Sequence, residues 1–299
     1  MEQLIDPASA RPVATGLRFP EGPVAADDGT VLVVEIEGGT LTRVRPAHGG
    51  TETVAECGGG PNGAAFGPDG AIYVGNDGGF KFQTTDGIRY PYDGAEGNEG
   101  GTVQRVDPAT GAVEPVFTHS EGTRLGALND IVFDESGWCY LVDTTNGVVH
   151  YADPIAGQIR VAEAGLDHPN GAGLSPDGSR LYVSETFSGR VYAWEVTGTG
   201  ALTGRRLLHS SEGVHGWDGL AVDGAGNVCA ANLTESGITV IGADGVLRGR
   251  FTTPTPDPYV TNICFGGPDG RTAYVCSAGR GILYAVPWPW PGLRLHFAR

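Results

Sequence analysis

Clusters of positive charge and long apolar runs are both absent from this sequence of 299 residues. The formal net charge is −16, and no group of Lys and Arg is larger than the pair Arg205-Arg206. Nucleic acid and anionic membranes repel such an acidic chain, so neither is expected as a partner. No apolar run approaches a membrane span, and the first residues lack the basic start and apolar core of a signal peptide. We therefore expect a cytoplasmic protein that is a monomer or a small homo-oligomer.

Cysteine pairs, helical periodicity and two common catalytic motifs are missing as well. The five cysteines form no Cys-x-x-Cys pair, and Cys139, Cys229, Cys264 and Cys276 lie in apolar runs, so we expect reduced core residues. No segment repeats apolar residues with a helical period, which predicts a nearly all-β fold. Without a Gly-x-Ser-x-Gly elbow or a Walker-type loop, a serine nucleophile and a bound nucleotide are disfavoured.

Glycine and proline, by contrast, are abundant, with 50 and 20 copies. The glycines recur between apolar β-branched runs, and a hydrophobic content of 40% supports a sizeable core, so disorder is disfavoured. In the unit Gly60–Gly70 a polar residue, Asn62, starts a short apolar run that ends eight positions later in an Asp-Gly hairpin turn. A glycine also follows at eight positions from each of six residues: Glu21, Asn62, Asn129, Asn170, Asp218 and Asn262. Internal repetition is thus the main feature of the chain.

The repeats predict one domain over residues 1–299, an all-β, six-bladed β-propeller with four strands in each blade. Spacings between the six residues are 41, 67, 41, 48 and 44, and blades of this kind are about 40 to 50 residues long. After Asn262 only three strands remain, so a strand near Val13–Leu17 is expected to complete the last blade. The spacing of 67 contains an insertion over residues 77–100, which we interpret as a lid over one mouth of the channel.

The six blade-start residues are the candidate site, because the first strand of each blade lines the channel of a propeller. All six carry side-chain oxygens, which are the ligands that Ca²⁺, Mg²⁺ and Mn²⁺ prefer, with Zn²⁺ possible. Asn and Asp before Gly also form ordinary turns, and that interpretation would be preferred for any one of them alone. Six in the same register, with Asp130 directly after Asn129, favour a site instead.

Five motifs follow one another at the blade spacing: Phe19-Pro20-Glu21-Gly22-Pro23, Pro61-Asn62-Gly63, Leu128-Asn129-Asp130, Pro169-Asn170-Gly171 and Asp218-Gly219-Leu220-Ala221-Val222-Asp223. In these motifs the chain resembles the regucalcin/gluconolactonase family, which includes the senescence marker protein and luciferin-regenerating enzymes. The resemblance covers about residues 16–292. It implies a six-bladed propeller with one divalent cation in its channel, and the hydrolysis of lactone rings.

Carried over by motif, the resemblance implies that Glu21, Asn170 and Asp218 bind the cation, Ca²⁺ before Zn²⁺, Mg²⁺ or Mn²⁺. Asn129 matches an Asn that completes the metal or substrate site. Asp218 is our first candidate for the general base and Asp130 our second. Asn62, Asn129 and Asn262 are expected to contact the substrate.

Two departures from the family pattern concern the substrate. Ala127 stands where sugar lactonases carry a substrate-binding Arg, and Arg124 is the nearest substitute. Trp217, in His215-Gly216-Trp217, stands where a Pro is common and is expected to present an apolar face to the pocket. Both changes favour a larger or less polar lactone or ester. His168 and His215 lie near blade starts, where a surface or structural role is the preferred interpretation.

Three functions stay open at this point. The first is a metal-dependent hydrolase that opens a lactone or a related ester. The second uses the same metal site for isomerisation or cyclisation in a biosynthetic pathway. The third is a non-catalytic propeller that binds a metal or a partner, although carboxylates in the channel are not needed for that.

Overall fold

Strands account for almost all regular structure in the computed structural model, which describes residues 2–211 and 216–299. Two 3₁₀-helices, Pro7–Ser9 and Leu233–Glu235, are the only helices in this described part of the chain. Neither has the length and apolar character needed to cross a membrane. The strands form six four-stranded antiparallel sheets and two short hairpins, so the predicted six-bladed propeller is confirmed.

The six sheets are the blades, numbered along the chain from the channel outwards. Blade 1 contains β2 (Pro20–Ala25), β3 (Val31–Glu35), β4 (Thr40–Val44) and β5 (Thr51–Glu56). Blade 2 contains β6 (Pro61–Phe66), β7 (Ile72–Asn76), β10 (Thr102–Val106) and β11 (Val113–Phe117), and blade 3 contains β14 (Leu128–Phe133), β15 (Cys139–Asp143), β16 (Val148–Asp153) and β17 (Gln158–Ala164). Blade 4 contains β18 (Pro169–Leu174), β19 (Arg180–Glu185), β20 (Arg190–Thr197) and β21 (Ala201–Ser210). Blade 5 contains β22 (Trp217–Val222), β23 (Val228–Asn232), β24 (Gly237–Ile241) and β25 (Leu247–Thr252).

The sixth blade joins the two ends of the domain. It contains β26 (Val260–Gly266), β27 (Thr272–Ser277), β28 (Ile282–Pro287) and, outermost, β1 (Arg11–Thr15). β1 pairs antiparallel with β28, from Arg11 opposite Ala285 to Thr15 opposite Ile282. The expected closing strand is therefore confirmed, two residues earlier than the sequence suggested. β1 thus covers the edge of β28 that would otherwise be unpaired.

Six hydrophobic clusters lie one between each pair of neighbouring blades, and a seventh, small cluster of Phe19, Ile36 and Ala278 lies at the insertion. Tyr73 of blade 2 packs on Phe133 of blade 3, for example, and Tyr140 of blade 3 lies in one cluster with Trp194 of blade 4. Each second strand is covered on both faces, which is why its sequence is a continuous apolar run such as Val31-Leu32-Val33-Val34. All five cysteines are buried and free, as expected for four of them.

The two ends of the channel differ in their loops. The first and second strands of each blade are joined at the far end by a tight turn, which in blades 1, 2, 4 and 6 is an Asp-Gly turn. The aspartates of these turns accept hydrogen bonds from their own turns, as between Asp28 and the Thr30 amide. These turns are structural, as predicted. The tail after β28 crosses this far mouth, where Arg294 pairs with Asp27 and the Gly224 amide donates to the Pro291 carbonyl. Trp288, at the start of the tail, packs on blade 6.

The near mouth carries the start of each first strand and the loop after each second strand. The loop between β7 and β10 contains the insertion, which forms a hairpin of β8 (Phe80–Thr85) and β9 (Ile88–Gly94). A second short hairpin, β12 (His119–Ser120) and β13 (Thr123–Arg124), links blades 2 and 3. The insertion thus lies on the same side of the propeller as the blade-start residues.

Candidate active site

A break in strand pairing marks the beginning of every first strand. The register between first and second strands shifts between Glu21 and Val24 in blade 1, and at the corresponding place in the other five blades. Such bulges redirect side chains and are common next to active sites. The side chains at these bulges are no more than 8% exposed, and we call them the start residues: Glu21, Asn62, Asn129, Asn170, Asp218 and Asn262.

Three carboxylates meet inside this ring. The amide of Asn262 donates to Glu21 at 2.8 Å and to Asp130 at 2.9 Å, so one side chain from blade 6 links acids from blades 1 and 3. Burial and the charges of Asp218 and Asp130 raise the pKa of Glu21 well above its ordinary value. Burial and the charge of Asp130 also raise the pKa of Asp218. The three acids therefore lie close enough to repel one another.

Asp130 has the most complete set of partners of the three acids. Besides the Asn262 contact, its carboxylate accepts the Ala172 amide at 3.1 Å and the Leu220 amide at 3.4 Å. Burial raises its pKa to about 6, against the opposing effect of these hydrogen bonds. Asp130 thereby links blades 3, 4, 5 and 6 at the floor of the site.

The amide oxygens of three start residues have no partner. The Oδ1 atoms of Asn62, Asn129 and Asn170 are all buried without a hydrogen-bond donor. A buried acceptor without a donor costs free energy, so these oxygens indicate a ligand that the chain does not supply. Carboxylate and amide oxygens are the ligands of a hard divalent cation. Asn170, whose amide hydrogen-bonds to Asp218, adjoins the carboxylates, and these residues fit such an ion. Among the described residues no group of three or more His, Cys, Asp or Glu side chains could hold a metal alone, so amide oxygens would have to contribute.

Asn262 has its side chain fully occupied. Its Nδ2 serves the two carboxylates and its Oδ1 accepts the Ile263 amide at 2.8 Å. These contacts position Glu21 and Asp130, and a substrate contact of Asn262 remains a prediction. Sequence alone did not distinguish these roles, because Asn262 is the same residue type in the same register as the other three Asn start residues. Those three keep a free oxygen, whereas Asn262 does not.

The expectation that Trp217 presents an apolar face to the pocket is wrong. Trp217 is 2% exposed and packs in the core between blades 4 and 5, with its ring edge against His209. Neighbouring residues of a strand point in opposite directions, so the strand that turns Asp218 to the channel turns Trp217 away from it. His215, two positions earlier, lies outside the described residues.

Arg124 lies beside the insertion, in the short hairpin β12–β13. Its guanidinium donates to the carbonyl oxygens of Glu99 and Thr118, at 2.8 and 3.0 Å. Within the part of the chain that the structure describes, it contacts none of the start residues. A substrate contact of Arg124 remains a prediction. His168, the other histidine near a blade start, is half-exposed and contacts Asp167 and the ring of Phe187.

The insertion extends from blade 2 to blades 1 and 6. Phe82 packs on Phe19 at 5.1 Å between ring centroids, and Tyr90 stacks parallel to Tyr259. The Arg89 amide donates to the Gly279 carbonyl, and the Arg89 guanidinium pairs with Glu37. Because Phe19 directly precedes Pro20-Glu21, the hairpin reaches the rim of the site.

A cavity of about 620 Å³ lies on the other side of the site, within the channel. Asp130 and Asn262 line it towards the near mouth, and residues of the C-terminal tail such as Leu293 and Leu295 close it at the far mouth. The sequence did not indicate this tail position. The carboxylate cluster thus has a partly open cavity of mixed polar and apolar lining behind it.

A second set of buried polar residues was missed entirely by the sequence analysis. They end the six second strands, 14 or 15 positions after the start residues, and we call them the anchor residues: Glu35, Asn76, Asp143, Glu185, Asn232 and Ser277. Four of them accept the backbone amide of the segment that enters the same blade, as Asp143 accepts the Gly126 amide at 2.8 Å. The constant spacing from the start residues is a signal that could have revealed them.

Known proteins share this architecture. The sequence profile of the SMP-30/gluconolactonase/LRE-like region matches residues 19–279. The pentonolactonase of Haloferax volcanii is 31% identical over 276 residues, which cover 90% of this chain and 84% of that protein.

Solved structures agree at the level of the fold. A gluconolactonase from Xanthomonas campestris has a TM-score of 0.76 at 21% identity, covering 94% of this chain and 89% of the other. A regucalcin from Agrobacterium tumefaciens, described as a calcium-binding protein, has a TM-score of 0.72 at 19% identity and covers 97% of both chains. Since the profile spans most of the sequence, and a relative above 30% identity covers nearly all of it, this chain belongs to the SMP-30/gluconolactonase/LRE-like family.

Proposed function

We propose that this protein is a divalent-cation-dependent hydrolase that opens a lactone, or a related ester, at the near mouth of the channel. The observation that carries the proposal is the set of buried carboxylates beside three unpartnered amide oxygens. The names of the relatives, which are lactonases of sugar acids, support the reaction class.

Glu21, Asn170 and Asp218 are the residues we propose to hold the cation. The pKa of Glu21 responds to the charge of Asp218, and the amide of Asn170 hydrogen-bonds to Asp218, so the three side chains adjoin one another. Ca²⁺ is the first choice, with Mg²⁺, Mn²⁺ and Zn²⁺ as alternatives, because all three ligands are oxygens. The bound ion would act as a Lewis acid towards the lactone carbonyl and would lower the pKa of a coordinated water.

The protein's own acids would move the proton of the reaction. In our proposal Asp218 accepts a proton from the attacking water while the oxygen of that water bonds to the carbonyl carbon. The same proton is returned to the ring oxygen when the C–O bond breaks, which yields the hydroxy acid. Asp130 is the second candidate for this base, although its oxygens already accept two backbone amides and the Asn262 amide. Asn129 and Asn62 would orient the substrate.

The test is lactone hydrolysis by the purified protein before and after treatment with a chelator, with Ca²⁺, Mg²⁺, Mn²⁺ and Zn²⁺ added back singly. We expect activity to disappear with the metal and to return with one of these ions. Replacing Glu21 with Ala should remove both the bound metal and the activity. Full activity of metal-free protein, or of Glu21→Ala, would contradict the proposal.

A further inference from the structure

Asp77 is a buried acid outside the carboxylate cluster, at the point where the insertion leaves blade 2. It directly follows the anchor residue Asn76 and is 2% exposed. One carboxylate oxygen accepts the Gly79 amide at 2.6 Å, and the other accepts the side-chain amide of Asn62 at 3.2 Å. Asp77 therefore connects the insertion to a start residue.

The backbone next to Asp77 leaves room for its carboxylate. The Asp77 amide donates to the Gly60 carbonyl, and a Cβ atom on Gly60 would lie only 2.0 Å from Asp77 Oδ1. Only glycine fits at that position while the carboxylate stays where it is. Gly60 thus makes room for Asp77.

This contact determines which end of the Asn62 amide is available to a ligand. Burial raises the pKa of Asp77 to about 7, against the opposing effect of the hydrogen bonds from Gly79 and Asn62. Because both carboxylate oxygens already accept these hydrogen bonds, the NH₂ group of Asn62 faces Asp77. The oxygen, Asn62 Oδ1, is then turned the opposite way, and it is buried without a donor. With its NH₂ group bound to Asp77, Asn62 keeps its oxygen as a free acceptor.

The same arrangement recurs in blade 4. Thr186 directly follows the anchor residue Glu185, and its hydroxyl accepts the amide of Asn170 at 3.2 Å. Asn170 Oδ1 is likewise buried and unpartnered. In both blades the residue after the anchor holds the NH₂ group of the start residue and frees its oxygen. The two cases differ in that Asn170 also contacts Asp218, whereas the only side-chain partner of Asn62 in the described chain is Asp77.

We propose that Asp77 is a positioning residue that orients Asn62 so that its Oδ1 accepts a hydrogen bond from a hydroxyl group of the lactone. The inference rests on the proposed function and adds to it a residue that orients the substrate-binding side of the site. A hydroxyl fits better than the cation, because Asn62 has no contact with the carboxylates that would hold the ion. A site built to pair with a substrate hydroxyl discriminates strongly against an analogue that lacks it.

The experiment reverses the two partners. In Asp77→Asn the side-chain oxygen can still accept the Gly79 amide. An NH₂ group then stands where the second carboxylate oxygen accepted the Asn62 amide, and two NH₂ groups cannot pair. Asn62 must therefore turn its own NH₂ group to the ligand. In the double variant Asn62→Asp with Asp77→Asn, the hydrogen bond is restored with donor and acceptor exchanged, and a carboxylate oxygen again faces the ligand. Asp93→Asn makes the same chemical change at an exposed position of the insertion and serves as control.

The probes are glucono-1,5-lactone and δ-valerolactone, which has the same ring without hydroxyls, assayed with metal-loaded protein. We expect Asp77→Asn to lower kcat/KM for the hydroxylated lactone about 10- to 100-fold, chiefly through KM, as for an acceptor lost to a donor. Hydrolysis of δ-valerolactone and the bound metal content should stay within about twofold of the wild type, as should all properties of Asp93→Asn. The double variant should recover most of the loss.

Each outcome bears on one proposal. Equal losses on both lactones, no recovery in the double variant, or loss of bound metal in Asp77→Asn would overturn the role of Asp77 while leaving the lactonase proposal standing. A wild type that hydrolyses neither lactone would instead overturn the proposed function, and this inference with it. If the wild type hydrolyses only the hydroxylated lactone, the recovery in the double variant decides.

Discussion

Two rings of buried polar residues lie at the same mouth of the channel, and they are held in opposite ways. In the anchor ring, Asp143 accepts the amides of Gly126 and Asn146 and contacts the buried His150. In the start ring, Asp218 has few donors and repulsive neighbours. The same residue type is thus satisfied by the backbone in one ring and left in need of a ligand in the other. The comparison indicates that repelling carboxylates and unpartnered amide oxygens, rather than burial alone, distinguish the start ring from the anchor ring.

The largest effect on activity is expected when a carboxylate of the start ring is replaced by an amide. Asp218→Asn should lower kcat/KM by about 10³-fold or more, because a lost Lewis-acid contact removes several kcal/mol and each ~1.4 kcal/mol is a factor of ten. The free energy of unfolding in chelator should be unchanged or higher, because a buried like charge is removed. Lactone assays and urea unfolding measure the two quantities. A large loss of stability would show that Asp218 has a structural role like that of the anchor residues, and would contradict the difference between the two rings.

The opposite result is expected in the anchor ring. Asp143→Ala leaves the amides of Gly126 and Asn146 without an acceptor in a buried place, so it should lower the free energy of unfolding by about 3 kcal/mol. Activity per folded molecule should stay within about threefold of the wild type, since Asp143 contacts no start residue. Urea unfolding with an activity measurement at low temperature checks this. An inactive but stable variant would show that the two rings are not separate.

The two aspartates should also respond to pH with opposite signs. In metal-free protein the folded pKa of Asp218 is raised by burial and by Asp130 to about 8, from an ordinary value of 3.8. The folded state therefore keeps a proton that the unfolded chain loses, so this contribution to stability is lost as pH rises from about 4 to about 8. Although burial opposes it, hydrogen bonds from His150, Asn146 and the Gly126 amide hold the pKa of Asp143 below its ordinary value, and its contribution is lost as pH falls below about 4.

Unfolding free energies of chelated protein at about pH 3, 6 and 9 test these signs. Asp218→Asn should flatten the decline between the two higher values and keep the acid limb. Asp143→Asn should weaken the acid limb and keep the decline. Identical profiles for both variants would refute the assignment of opposite signs.

The smallest effect is expected from the insertion, which begins beside an anchor and ends over the start ring. Replacing residues 80–94 with a short Gly-Ser turn keeps Asn76 and Asp77 but removes the contacts of Phe82 and Tyr90 with the rim. If the hairpin is a lid, KM should rise about tenfold, because a lid contributes substrate positioning rather than chemistry. Stability should fall less than in Asp143→Ala. An unchanged KM would show that the insertion is only tolerated.

Much of the fold was predictable because its signals are local. The glycine register marked the hairpin turns, the blade spacing indicated six repeats, and the shortage of strands after Asn262 required a strand from the beginning of the chain. The start residues could be predicted for the same reason. Trp217 could not, because a bulge in the first strand determines which neighbour faces the channel, and bulges leave no clear mark in the residues themselves.

By itself, the sequence determined the repeat, the residue types at each blade start and the hard, oxygen-rich character of the candidate site. Only the tertiary structure decided which oxygens are free. Asn62, Asn170 and Asn262 are the same residue in the same register. Asp77 and Thr186 accept the amides of the first two and leave their oxygens unpartnered, whereas the oxygen of Asn262 accepts the Ile263 amide. The Asn262 amide in turn donates to Glu21 and Asp130. The reason is that a hydrogen bond depends on the partner across the blade or across the channel, and those partners are separated by up to 241 positions along the chain.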